Sequence, residues 1–168
     1  TNIGNTAFNS DAIVVGDVDN DGDMDVIAGN TGQTNKLYLN DGSGGFAATG
    51  TNIGSETDTT LGLAVGDLDN DGDLDVVTGE LESTAKMYLN NGAGGFSATG
   101  TAISSDEDAT QAIALADLDN DGDLVLIINN VNMPAFVYEN TLDTLAHRSL
   151  QVQFKSTSQN TSLIGTKI

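Results

Sequence analysis

The sequence predicts an all-β chain of about three four-stranded propeller-type blades. Three observations carry this reading: one phrase recurs with a period of about 50 residues, short apolar runs alternate with turn residues, and Gly and Asp interrupt every window before two helical turns accumulate. TNIG at Thr1 returns at Thr51 and, as TAIS, at Thr101; GDVDNDGDMDV returns as GDLDNDGDLDV and ADLDNDGDLVL; KLYLNDGSGGFAATG returns as KMYLNNGAGGFSATG. The third copy diverges after Asp123. The units are expected over roughly 1–50, 51–100 and 101–145, with a separate segment at 146–168. Four-stranded units at this period pack radially around a channel, and three are too few to close the ring, so the propeller is expected to be incomplete.

Each copy is read in the same order. Ala12 to Val15 forms an apolar strand that leads into an acidic segment, and a β-branched strand at Val26-Ile27 leaves it. Leu37-Tyr38-Leu39 supplies the third strand, and Asn40-Asp41-Gly42 a tight turn. Gly44-Gly45-Phe46 and the small residues after it are expected to supply the fourth. Tyr38, Tyr88 and Tyr138 recur in register, as do Phe46 and Phe96, and read as packing residues; Lys36 and Lys86 read as edge charges that discourage strand pairing.

Composition narrows the classes of function. The 168 residues carry 25 acidic and five basic side chains, a formal charge of −20. That charge repels phosphate backbones and anionic membrane surfaces, so neither nucleic acid nor membrane insertion is expected. No apolar run approaches the roughly 18 residues of a membrane span. Zero cysteines exclude disulfides and thiolate metal sites.

The acidic segment carries the chemistry. Asp17, Asp19, Asp21, Asp23 and Asp25 alternate around Gly22, and Asp67, Asp69, Asp71, Asp73 and Asp75 around Gly72; the third copy keeps Asp117, Asp119, Asp121 and Asp123 but has Val125 in the last place. Two carboxylates 4 Å apart repel by about 4 kcal/mol at an effective dielectric near 20, so several in one loop require a compensating cation. Calcium, which accepts six to eight oxygens at flexible angles, suits such a loop better than magnesium. Side-chain ligation is expected from Asp17, Asp19, Asp21 and Asp25, with a backbone carbonyl from Asp23, and the second loop reads alike. Two calcium sites are therefore expected, with the third weaker or empty. An EF-hand would need an acid at the twelfth position, where Ala28, Thr78 and Ile128 stand, and helices on both sides.

GDVDNDGDMDVIAGN through LYLNDGSGGF, and its second copy, resemble the FG-GAP or VCBS-type repeat, the calcium-loop blade also found in integrin α-chain propellers. The tail HRSLQVQFKSTSQNTSLIGTKI resembles the opening of an ASPIC/UnbV module, through the alternating strand Leu150 to Phe154, Asn160 and Ile164-Gly165. These resemblances imply a multi-bladed propeller cut from a longer chain, calcium in the blade loops, an exported location (extracellular, cell-surface or periplasmic) and a role in adhesion or ligand recognition.

Other sites weigh less. Carboxylates committed to a cation are poor proton donors, and no other acidic pair stands out from Asp11, Asp41, Glu56, Glu80, Glu82 or Asp106. His147 lacks a serine or acid at triad spacing, and Gly42-Ser43-Gly44-Gly45 lacks the following lysine of a phosphate cradle. The expected function is a non-enzymatic module that recognises a protein or glycan and self-associates through open blade edges. The alternative is the non-catalytic or channel-bearing part of a secreted enzyme acting on glycans or phosphoesters.

Overall fold

The computed structural model describes residues 3–4, 7–105 and 109–140. The expected module at 146–168, with His147 and Asn160, lies outside the described residues.

Among the described residues every regular element is a strand, and no helix is long and apolar enough to cross a membrane. The first antiparallel sheet comprises β1 (Ser10–Gly16), β2 (Asp25–Asn30), β3 (Asn35–Tyr38) and β4 (Thr51–Ile53), hydrogen-bonded in that order. The second repeats it with β5 (Thr59–Gly66), β6 (Asp75–Leu81), β7 (Lys86–Tyr88) and β8 (Thr101–Ala102). The third joins β9 (Thr110–Ala116), β10 (Val125–Asn130) and β11 (Phe136–Tyr138), with β10 in the middle. β5 packs on β1 and β2, and β9 on β5 and β6, so the sheets stack face to face as successive blades of an unclosed propeller.

One expectation is corrected. The fourth strand of the first sheet is Thr51–Ile53, contributed by the opening phrase of the next copy, while Phe46 forms only an isolated bridge with Asn40. The small residues after Phe46 offer little to pack. Ile53, 1% exposed, is the apolar anchor instead. The chain reaches it past Gly50, where a Cβ would stand 2.9 Å from both the Leu37 carbonyl and the Tyr38 ring.

Because strand side chains alternate between faces, a central blade buries both. Val76 joins Val18, Ile27, Leu37, Ile53 and Tyr88 in a core between the first and second sheets. Its neighbour Val77 joins Leu68, Met87, Ile103, Leu126 and Tyr138 between the second and third. The two cores are copies. Leu63, Val65 and Leu74 cover the first; Ile113, Leu115 and Leu124 cover the second. The matching residues of the first blade, Ile13, Val15 and Met24, have no blade before them among the described residues and are 68%, 57% and 62% exposed.

Close approach of the blades selects glycine at two positions. A Cβ at Gly16 would lie 3.0 Å from Leu74 Cδ1, and one at Gly66 only 2.5 Å from Leu124 Cδ1. Likewise Gly29 faces Thr60 Cγ2 at 2.7 Å and Gly79 faces Thr110 Cγ2 at 2.4 Å. In the third copy, with no described blade behind it, these positions are Ala116 and Asn129.

Candidate metal centres

Each acidic segment connects the first two strands of its blade, and its shape is set by main-chain amides bonding to its own aspartates. In the first loop Asp17 accepts the N–H of Asp21 on Oδ1 at 3.1 Å and that of Gly22 on Oδ2 at 3.0 Å, and Asp21 Oδ1 accepts Asp23 N–H at 2.9 Å. The second loop repeats these bonds at 3.1, 3.0 and 3.0 Å. Asn20 and Asn70 take left-handed φ values of 59° and 58°, followed within two residues by Gly22 and Gly72 at 95° and 94°. Asn and Gly are the residues that reach this region at least cost, which is why the loop turns here.

The last acid of each complete loop is structural as well as acidic. Asp25 is buried and spans two segments, with Oδ2 accepting Val18 N–H at 3.0 Å and Oδ1 accepting Asn40 N–H at 2.9 Å. Asp75 does the same for Leu68 and Asn90, both at 2.9 Å. Burial nevertheless pushes the Asp75 carboxyl up to about 6, against the lowering effect of its two amide bonds.

Carboxylate oxygens of Asp17, Asp19 and Asp25 lie within 4.8 Å of one another, as do those of Asp67, Asp69 and Asp71, and of Asp117, Asp119 and Asp121. Asp21, Asp23, Asp73, Asp75 and Asp123 stand outside these groups, so the two complete loops do not converge the same set of carboxylates. The Asp23 side chain lies over Gly42, where a Cβ would come within 2.8 Å of its Oδ2, and Asp73 lies over Gly92 in the same way.

Whether a hard cation suits these groups is answered by two atoms. Asp19 Oδ1 and Asp69 Oδ1 are shielded from solvent and accept no hydrogen bond, and both aspartates belong to the groups whose carboxylates converge. A buried carboxylate oxygen without a donor is costly, and a cation is the partner such a pocket of acceptors lacks. Burial raises the Asp19 carboxyl above its ordinary range, with the charges of Asp25 and Asp21 adding to it. Asp69 is raised by burial and then by Asp71. The donor set is all oxygen, so the fit is to hard cations rather than to softer metals.

The third loop differs. Asp117, Asp119 and Asp121 are all exposed, Val125 is buried where the carboxylate clamp would be, and Leu118 is 55% exposed where Val18 is 0%. No oxygen of its triad is among the shielded, unbonded atoms.

Three asparagines that the sequence reading passed over organise the loops. Asn90 Nδ2 donates to Val18 O of the first loop at 2.7 Å and to Leu74 O of the second at 3.0 Å. Asn20 Nδ2 reaches Asp73 Oδ1 at 2.7 Å, and Asn70 Nδ2 reaches Asp123 Oδ1 at 2.7 Å. Their signal was available, since asparagine occupies the fourth place of all three loops and also positions 40, 90 and 140.

Comparison with known families agrees with the repeat. The family described as FG-GAP-like repeat matches residues 17–78 and 69–128. No curated protein matches the chain at a significant level.

Proposed function

The chain belongs to the FG-GAP-like repeat family, and from that premise we propose that it is a calcium-stabilised recognition module, without catalysis of its own, that works outside the cytoplasm. The observation that carries this reading is the pair of shielded, unbonded oxygens, Asp19 Oδ1 and Asp69 Oδ1, on two aspartates that belong to converging carboxylate groups. In the first loop Asp17, Asp19, Asp21 and Asp25 would hold the ion by side chains and Asp23 by its carbonyl. In the second, Asp67, Asp69, Asp71 and Asp75 would do so with Asp73. Asp117, Asp119 and Asp121 would form a weaker or empty third site.

The ion supplies positive charge that the loops themselves lack. Everything else is done by the chain: amides of residues 21 and 22 orient Asp17, amides of 18 and 40 orient Asp25, and the blade cores hold both strands in place. Extracellular calcium modules bind at about 10⁻⁴ to 10⁻³ M, a range filled outside cells and not by cytosolic calcium, which favours an exported location. The net charge of −20 favours a protein or glycan partner over nucleic acid. The exposed Ile13, Val15 and Met24 offer an apolar face of the kind that blades cover in one another, through which the chain would associate with a further blade.

Calorimetric titration with calcium tests the reading. Two loops should take up the ion in the intact chain, and Asp19→Asn with Asp69→Asn should abolish the uptake. A chain that binds no calcium sinks it.

A further inference from the structure

The two asparagine bonds that leave their own loops obey one rule. Asn20 bonds to Asp73 and Asn70 bonds to Asp123, each at 2.7 Å and each across 53 residues. In both cases the fourth residue of one loop holds the seventh residue of the loop on the next blade. The donor sits between two carboxylates of its own loop, Asp19 and Asp21, or Asp69 and Asp71. The acceptor is tied inward as well: Asp73 N–H donates to Asp71 Oδ1 at 3.0 Å, and Asp123 N–H to Asp121 Oδ1 at 2.9 Å. A short relay therefore runs from Asp19 through one peptide bond to Asn20, across to Asp73, and into the Asp67, Asp69, Asp71 group.

We infer that Asn20 and Asn70 are positioning residues for the acidic loop of the following blade, so that neighbouring loops load calcium cooperatively. The inference rests on the calcium reading above. Asn20, Asp21 and Gly22 are exposed, so this tip of the loop is held by hydrogen bonds rather than by packing, and a bound ion would order it further. When one loop is ordered, the asparagine side chain is fixed and the next loop has less freedom left to lose, which is the condition for positive coupling without a change of fold. The coupling is reciprocal, because the bond is shared by both loops. Asn90, which donates to a carbonyl in each loop, is a second strut on the same path.

Charge opposes this only weakly. Each of the first two loops contains five aspartates, so one doubly charged ion leaves it negative. Residual repulsion between exposed sites fades as salt shortens the screening length, to about 8 Å at 0.15 M. The hydrogen-bonded relay does not fade in the same way.

The test is a calorimetric calcium titration of the full chain at low and at moderate salt, with Asn20→Gly as the informative variant. Glycine keeps the left-handed backbone available and removes only the amide. The wild type is expected to bind with a Hill coefficient above one, and with loss of the second loop (Asp67→Asn with Asp69→Asn) to weaken calcium at the first by at least about fivefold, the lower range of ordinary coupling. In the Asn20→Gly background that weakening should fall to less than about twofold, while the metal-free melting temperature stays within a few degrees. Asn120→Gly, which has no following blade among the described residues, serves as the control and should leave the coupling intact. Calcium binding with a Hill coefficient of one, unmoved by Asn20→Gly, overturns the coupling and leaves the calcium reading standing. An equal loss of coupling in Asn120→Gly also overturns it. Absence of any calcium heat in the wild type overturns both.

Discussion

Asn90 and Val18, 72 residues apart in sequence, are joined by a buried hydrogen bond of 2.7 Å from the asparagine amide to the valine carbonyl. The same amide bonds Leu74 O, and the asparagine oxygen accepts the N–H groups of Asn91 and Gly92. One side chain thus fastens two acidic loops and the turn after β7.

Asn90→Ala is therefore expected to destabilise the chain by about 1 to 3 kcal/mol, the cost of leaving buried polar groups unpaired. Asn40→Ala should cost less, because the Asn40 side-chain amide donates to Met24 O alone, at 3.1 Å, and that bond and those its oxygen accepts from Gly42 and Gly44 are all exposed. Urea unfolding of the two variants in the presence of a chelator checks the order. Equal losses would show that the bond to Val18 contributes nothing.

Calcium should raise the melting temperature and EDTA should lower it. At tenfold excess over its dissociation constant an ion stabilises by about 1.4 kcal/mol per loop. Asp19→Asn and Asp69→Asn should each remove one such increment and leave the metal-free chain at least as stable, since the Oδ1 atoms accept no hydrogen bond and burial and neighbouring carboxylates already disfavour the charge removed. Asp25→Asn and Asp75→Asn should instead weaken the chain even in EDTA, because an amide nitrogen would be turned toward a main-chain N–H. Scanning calorimetry with and without chelator separates the two classes.

Gly79→Ala should cost about 1 to 3 kcal/mol, as overpacking does, because its Cβ would stand 2.4 Å from Thr110 Cγ2 and 3.2 Å from Thr110 Cβ. Asn129→Ala, at the same place in the third blade, should be near neutral. Denaturant midpoints measure both, and a tolerated alanine at position 79 would mean the blades sit further apart than described.

Glu80 sets a pH dependence. It is 1% exposed, accepts the Thr60 hydroxyl at 2.9 Å, and faces Asp58, Lys86 and Tyr88. Burial raises its carboxyl above the ordinary range. A raised acid binds its proton more tightly folded than unfolded, so its contribution is complete below the unfolded value of about 4.3 and is lost as pH rises through the folded value. Glu80→Gln should flatten that decline and melt higher than the wild type at pH 8. Melting curves from pH 4 to 8 in EDTA decide it, and parallel profiles for the two proteins would rule the effect out.

The repeat, the strands flanking the acids and the converging aspartates were legible because each is written in local pattern: a period, an alternation, a spacing. What was not legible depends on pairs of blades. The place of Glu80 inside a blade looks like any surface acid in sequence, since its burial is decided by Thr60 and Lys86 on other strands. The reach of Asn20 to Asp73 is set by how two sheets stack, which no single copy encodes. The placement of the fourth strand at Thr51–Ile53 turned on Ile53, whose burial depends on the core shared with the second sheet.

That last strand has a consequence for how the array can be divided. Since Thr51–Ile53 pairs with Asn35–Leu37, an excision at the boundary of the repeated phrase strips the first unit of its outer strand. A polypeptide of residues 1–50 would leave the β3 edge bare and prone to capture a strand from another molecule, whereas a cut after Gly54 would keep the sheet whole. Adjacent copies are clasped through a shared segment, so the heritable unit and the folding unit are offset, and shuffling one without regard to the other yields an aggregating product.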